Sequence, residues 1–197
     1  MESLTKNEFR AIDFLIRNFS EKHNINGLCR KLGISPRGIY KILKKLEKTR
    51  VITPEKIGNA IYYKANLNEQ IGIKLAEFVL VQGESNTYSK VMADDLKPLD
   101  QISQSCALFG SVLKKGKEAK DIDILLVIKK EKFKEAHKIL NDIKQLKPKI
   151  IHDIIMTKED LINNIIKKDS FTLGVIKTCN ILWGAEIFVE AIKNGAY

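Results

Sequence analysis

The stretch CALFGSVLKKGKEAKDIDILLV, residues 106–127, sets the reading of this chain. A Gly-Ser step, Gly110-Ser111, ends one short apolar run, and Asp121-Ile122-Asp123 opens the next. Residues two apart on a strand share a face, so Asp121 and Asp123 project together. Two carboxylates held side by side repel and lose hydration unless they share a cation. Hard oxygen ligands suit Mg2+, which keeps waters and picks up nucleotide phosphates. Gly110 gives the backbone room to approach a phosphate, and the amide and hydroxyl of Ser111 can bind it. A phosphate grip and a metal grip therefore lie one short basic loop apart. Metal-dependent phosphoryl or nucleotidyl transfer needs both.

Outward from this stretch, residues 85–197 alternate strands and helices. SCALF and DIDILLVIKK read as strands, the second apolar on both faces and hence central. EKFKEAHKILNDIKQLK has the spacing of a helix with Phe133, Ala136, Ile139, Leu140 and Ile143 inward, and KIIHDIIMT reads as a third strand. Helices follow over KEDLINNIIKK, SFTLGVIKTCN and AEIFVEAIKN, with ILWG as a short strand or turn. This is α/β (α+β) organisation with one small core.

The Gly-Ser step, the Asp-x-Asp strand and the closing NILWGAEIFVEAIK resemble the polymerase-beta-type nucleotidyltransferases, in particular their minimal branch. The resemblance covers residues 85–197. It implies a small mixed-sheet domain that transfers a nucleoside monophosphate from a triphosphate to a hydroxyl acceptor, using Mg2+ or Mn2+. It makes Asp121 and Asp123 the ligands of two metal ions and Asp153, in IIHDIIM, the third catalytic carboxylate, which completes the second metal site and helps activate the acceptor hydroxyl. Relatives carry a small residue and an arginine soon after Gly-Ser, and a serine before the first Asp. This chain has Val112-Leu113-Lys114-Lys115 and Lys120 instead, so Lys114 or Lys115 takes the arginine's place at the phosphates. A slip of one residue in the third strand would turn His152 to the metal face and Asp153 away from it.

The N-terminal third has a different character. Residues 1–65 carry 14 Lys and Arg against 6 Asp and Glu, a formal charge of +8, while the remainder carries 20 against 18. Thr5 reads as an N-cap with Glu8 completing a capping box, followed by an amphipathic helix through Phe9, Ile12, Leu15, Ile16 and Phe19. A short helix over 26–32, a turn at Gly33 and a helix capped by Ser35 with Pro36 come next. Short strands at 51–53 and 61–64 flank a Gly58-Asn59 turn.

The turn LGIS, the helix PRGIYKILKKLEK and the hairpin ITPEKIGNAIYY resemble the winged helix-turn-helix domains over residues 1–66. The resemblance implies double-stranded DNA as a partner. Arg37, Tyr40, Lys41 and Lys44 would reach base edges, and Lys45 and Lys56 would contact phosphates. Residues 67–84 read as a linker helix ending near Gln82-Gly83, which either makes a homodimer or packs on the C-terminal domain.

Composition bounds the rest. The chain has 197 residues, and no apolar run approaches the roughly 20 needed to span a bilayer. Cys29, Cys106 and Cys179 are odd in number and far apart, as in a reduced, cytoplasmic protein without a disulfide frame or zinc cluster. Two functions from different classes stand. One is a DNA-recruited nucleotidyltransferase. The other is a transcription regulator whose C-terminal domain is a nucleotide sensor or dimer scaffold, with a toxin–antitoxin component as a third.

Overall fold

The computed structural model describes residues 4–82 and 87–196. Its chain divides into two units, Met1–Val79 and Leu80–Tyr197, each with its own core. Of the boundary loop expected over residues 83–90, residues 83–86 lie outside the described residues, and the rest is corrected: residues 87–90 open a helix, Thr87–Leu96. The expected linker helix is α4 (Gln70–Val81), and through Val79 it belongs to the first unit, not to a separate connector. Its inner face explains why. Ala76 and Val79 are buried, Phe9 packs edge-on against Phe78, and Arg17 donates to the Val79 carbonyl at 3.2 Å.

Local chemistry sets the first unit's elements. The capping box at Thr5 and Glu8 opens α1 (Lys6–Arg17), with Thr5 N donating to Glu8 Oε2 at 2.8 Å. After the two-residue strand β1 (His23–Asn24), the Asn24 side chain accepts from Gly27 N and caps α2 (Ile25–Leu32). Gly33, at φ +65°, ends α2 in the left-handed conformation that favours glycine. Ser35 then caps α3 (Pro36–Lys48) by accepting from Gly38 N. Ile39, Leu43 and Leu46 of α3 are buried with Ile12, Leu15 and Leu28. Each such side chain contributes about 1.5–3 kcal/mol on burial. Strands β2 (Ile52–Ile57) and β3 (Ala60–Ala65) form an antiparallel hairpin, and β1 adds to β3, giving the order β1-β3-β2. The two hairpin strands run longer than their apolar residues suggest, because the turn at Gly58-Asn59 lets polar flanks keep pairing.

The second unit is a four-stranded mixed sheet with helices. It opens with α5 (Thr87–Leu96) and β4 (Ser103–Phe109). A one-turn helix α6 (Val112–Lys115) leads to β5 (Asp121–Ile128). Helix α7 (Phe133–Leu146) carries the chain to β6 (Ile150–Met156). Helices α8 (Lys158–Ile166) and α9 (Ser170–Thr178), strand β7 (Asn180–Trp183) and α10 (Ala185–Ala196) complete it. The strand order is β6-β5-β4-β7. β5 pairs antiparallel with β4 and parallel with β6, a parallel step that requires the α7 crossover. As its apolar run implies, β5 is central, and residues 122 and 124–128 are buried. Trp183 joins the core and donates Nε1–H to Ser103 Oγ at 3.0 Å. This is a mixed α/β fold. No helix of the described residues is long and apolar enough to cross a membrane.

The Glu8 cap gives the first unit a pH signature. Burial pushes its carboxyl up, but hydrogen bonds from the Thr5 backbone and the Lys45 side chain outweigh that and hold it below the usual range. The ionised form is therefore favoured in the folded state. Its contribution is present above the ordinary carboxylate pKa and is lost as pH falls through the lowered folded value. Glu8→Gln should destabilise the first unit by about 1 kcal/mol at pH 7. The gap from the parent should close in acid, as read by denaturant unfolding at pH 7 and pH 3.

Candidate functional site

The turn between β4 and α6 and the first residues of β5 come together because β4 and β5 are antiparallel neighbours. Phe109 stands opposite Asp123, so Gly110 and Ser111 lie alongside the first residues of β5. Gly110 adopts φ +77°, where a side chain is strained. A Cβ there would lie 2.1 Å from Asp123 Oδ2, so the aspartate occupies the space that any other residue would fill. Next to it, Ser111 Oγ donates to Asp121 Oδ1 at 3.2 Å instead of capping α6. Gly110, Ser111, Asp121 and Asp123 thus form one cluster, as their spacing implies.

The third carboxylate does not join them, and this corrects the sequence expectation. In the parallel β5/β6 ladder Asp123 lies beside His152, and Asp153 lies beside Ile124. Ile124 is wholly buried in the core that includes Ala136, Leu140 and Ile143 of α7. Asp153 therefore sits on the α7 face of the sheet, where Lys144 of α7 pairs with it. The strand register decides the matter, since a step of one residue exchanges faces. His152 takes the place beside Asp123, with Nδ1 3.3 Å from Asp123 Oδ1 and its side chain 58% exposed.

The electrostatics of the cluster differ from those of the unit's other partly buried aspartates. Asp95 has Lys147, and Asp153 has Lys144. Asp169 accepts from Thr172 N and Oγ1 at a helix cap, which holds its carboxyl below the usual range. Among the described residues no Lys or Arg pairs with Asp121 or Asp123, whose partners are a hydroxyl and an imidazole.

No three His, Cys, Asp or Glu side chains of the described residues converge as a complete metal-ion cage. The residues that do face together fit a different arrangement. One Mg2+ is commonly held by one or two carboxylates plus substrate phosphates and waters, without an all-protein cage. Asp121 and Asp123 suit one such ion. A second ion held by a third carboxylate does not fit, because Asp153 faces the other way.

Lys114 and Lys115, at the end of α6, are exposed. They line an open groove of about 500 Å3 together with Tyr88, Val91, Gly116, Lys117 and Glu118. Sequence reasoning passed over Tyr88, since a lone aromatic in a helix carries no signal, and named His152 only as the alternative to Asp153, since its facing depended on register.

In the first unit, Arg37, Tyr40, Lys41 and Lys44 are exposed on α3, and Tyr40 is 50% exposed. Lys44 also reaches Glu47 at 3.0 Å, which holds its ammonium above the usual lysine range. Lys56 is exposed on β2 across from Ile61. Lys45 does not belong with this exposed set. It lies half-buried on the flank of α3 and pairs with the buried Glu8 at 2.9 Å.

Compared with protein-family models, curated proteins and solved structures, the chain has no match.

The Asp153–Lys144 pair and the Gly110–Asp123 contact are separable by experiment. Asp153→Asn should lower stability by roughly 1 kcal/mol through loss of the Lys144 pair. It should leave ligand affinity at the Gly110–Ser111 turn unchanged. Gly110→Ala should lower affinity there by at least tenfold, because its Cβ displaces the Asp123 carboxylate. Thermal unfolding and calorimetric titration with Mg2+–nucleotide read the two effects.

Proposed function

We propose that the second unit binds a nucleoside triphosphate with a divalent cation and is a nucleotidyltransferase-like domain, and that the first unit is a winged helix-turn-helix module that carries it to double-stranded DNA. One observation carries the first half. Two same-face carboxylates, partly buried and without an ammonium or guanidinium partner among the described residues, are anchored beside a Gly-Ser turn that one of them has emptied of side chain. A cation joining such a pair relieves the repulsion between its charges.

Each residue has a distinct part. Asp121 and Asp123 would hold Mg2+ or Mn2+. When bound, that ion neutralises the triphosphate and polarises its α-phosphorus. Gly110 keeps Asp123 in place and lets phosphate approach the backbone. Ser111 orients Asp121 and offers its amide to a phosphate, and Lys114 and Lys115 add charge at the β- and γ-phosphates. In transfer, an acceptor oxygen would form a bond to the α-phosphorus as the bond to the β-phosphate oxygen breaks. Pyrophosphate leaves, and the acceptor proton passes to solvent.

A second reading, binding without transfer, is favoured by the facing of Asp153. The face that would align and deprotonate an acceptor carries His152 in place of a carboxylate. The protein would then be a regulator whose DNA affinity responds to triphosphate. Incubation with labelled triphosphates, Mg2+ or Mn2+ and cell RNA or lysate separates the readings. Covalent label on any product supports transfer. No label together with a triphosphate-dependent change in DNA affinity supports sensing. The buried thiols of Cys106 and Cys179, neither of them in a disulfide, are consistent with a reducing compartment.

The metal-bridged triphosphate should bind with an affinity that falls at least tenfold when Mg2+ is removed, and equally in Asp121→Asn/Asp123→Asn. Calorimetry with and without Mg2+ measures this. Equal affinity of the double variant and the parent would end the proposal for the second unit.

Support for the DNA module comes from the exposed Arg37, Tyr40, Lys41 and Lys44 on one helix, next to a basic hairpin. Lys41→Ala/Lys44→Ala should weaken duplex binding by roughly tenfold or more. Lys56→Ala, at a residue read as a phosphate contact, should reduce the slope of log affinity against log salt by about 1. Lys45→Ala should act mainly on stability, through Glu8. Fluorescence anisotropy over a salt series and thermal melts test both.

A further inference from the structure

Strand β4 ends at Phe109, one residue before the Gly110–Ser111 turn, and Phe109 stands directly opposite Asp123. Opposed residues of antiparallel strands share a face, with Cβ atoms about 4.5–5.5 Å apart. The Phe109 side chain therefore borders the proposed site on the face that carries Asp123. Against it packs Phe171, the second residue of α9, edge to face with ring centroids 5.8 Å apart. Phe171 is 42% exposed, the one aromatic among the described exposed large apolar side chains of this unit. Its place is fixed by the helix start. Asp169 accepts from Thr172 N and Oγ1, and Asp169 N donates to the Asn164 carbonyl at 2.9 Å. The same helix face carries a gap. Gly174 is exposed three residues beyond Phe171, and a Cβ there would meet nothing within 4 Å outside its own chain neighbours and helix backbone. Glycine weakens a helix interior, and no packed neighbour requires it here. A helical Cα–Cβ bond tilts toward the N-terminus, and residues three apart are neighbours, so a long side chain at 174 would lean over the Phe171 ring. Glycine keeps that ring uncovered.

We propose that Phe171, with the open space at Gly174, is the platform on which the base of the bound triphosphate stacks, and that it favours purines. The proposal rests on the reading of Gly110, Ser111, Asp121 and Asp123 as the phosphate and metal grip, and it adds the base to that site. The base of a nucleotide lies one sugar away from its α-phosphate. Phe109 spans the corresponding interval in the protein, from Asp123 on one side to the Phe171 ring on the other. Stacking reads the flat face of a base and not its hydrogen-bonding edge. It therefore discriminates by area, and a two-ring purine covers more of the platform than a one-ring pyrimidine. The capped start of α9 presents the ring already ordered, so little conformational freedom is lost when a base settles on it.

The test is calorimetric titration of the full chain with the Mg2+ complexes of ATP, UTP and inorganic tripolyphosphate, which has the phosphates but no base. The parent should bind ATP roughly tenfold or more tightly than tripolyphosphate, with UTP between them. Phe171→Leu keeps an apolar contact with Phe109 but removes the ring. It should lower ATP affinity about tenfold and leave tripolyphosphate unchanged. Gly174→Leu should not lower the thermal midpoint, since leucine is the better helix former, yet it should weaken ATP by a similar factor. A purely structural role for these positions would neither separate ATP from tripolyphosphate nor combine retained stability with weaker binding. Unchanged ATP affinity in both variants, or equal binding of ATP and tripolyphosphate by the parent, would overturn the platform. Equal affinity for ATP and UTP would overturn the purine preference. If tripolyphosphate still binds through Asp121 and Asp123 in those events, the metal and phosphate grip stands and only the base subsite falls. Binding of none of the three complexes by the parent would remove the grip and the platform with it.

Discussion

The contact on which the second unit turns is the entry of the Asp123 carboxylate into the space above Gly110. It is a backbone requirement at one end and an electrostatic one at the other. Gly110 must adopt a positive φ to turn the chain out of β4, and it must lack a Cβ so that Asp123 can stand against it. Burying a carboxylate without a cationic partner is unfavourable by several kcal/mol unless hydrogen bonds or a ligand offset it. The neighbouring Ser111–Asp121 bond repeats the pattern with a hydroxyl, which orients a carboxylate without neutralising it.

The antiparallel pairing of β4 with β5 creates that contact, and the parallel pairing of β5 with β6 limits it. Antiparallel neighbours bring the end of one strand to the start of the next, so Gly110 meets Asp123 with no long-range adjustment. The parallel neighbour arrives through α7, and its register is set by how Ile151 and Ile155 pack against the core. Once those positions face α7, Asp153 shares their face and finds Lys144 there. The same packing leaves His152 outside, beside Asp123. The core thus decides which side chains the site receives.

This is also why the sequence was legible in some places and not in others. The caps at Thr5 and Ser35, the left-handed Gly33 and the central β5 are local or compositional signals, and the structure places each as read. The Gly110–Asp123 cluster was legible because the two strands adjoin and a turn fixes their offset. The facing of β6 was not. IIHDIIM is apolar on both sides of its His-Asp pair, so alternation does not say which one points inward. The partner of Lys45 was not legible for a related reason. On α3 it lies between the buried stripe and the exposed face, and only the presence of Glu8 on α1 decides its direction.

The distribution of charge in the second unit follows one rule. Where a carboxylate meets α7 or α10, a lysine is supplied: Lys144 for Asp153, Lys147 for Asp95, Lys158 for Glu190. Around the Gly110–Ser111 turn, anions and cations are both present but kept apart. Asp121 and Asp123 stand on β5, and Lys114, Lys115 and Lys117 stand on the loop before it. Had the sequence needed only a stable sheet edge, these groups could neutralise one another at small cost, since lysine side chains are long and flexible. Their separation leaves an unmatched negative pocket and an unmatched positive rim within one turn of chain. A ligand that is itself an anion bound to a divalent cation satisfies both at once. A simple anion or a simple cation would satisfy only one, and that asymmetry is the physical reason to favour a metal–triphosphate complex at this end of the sheet.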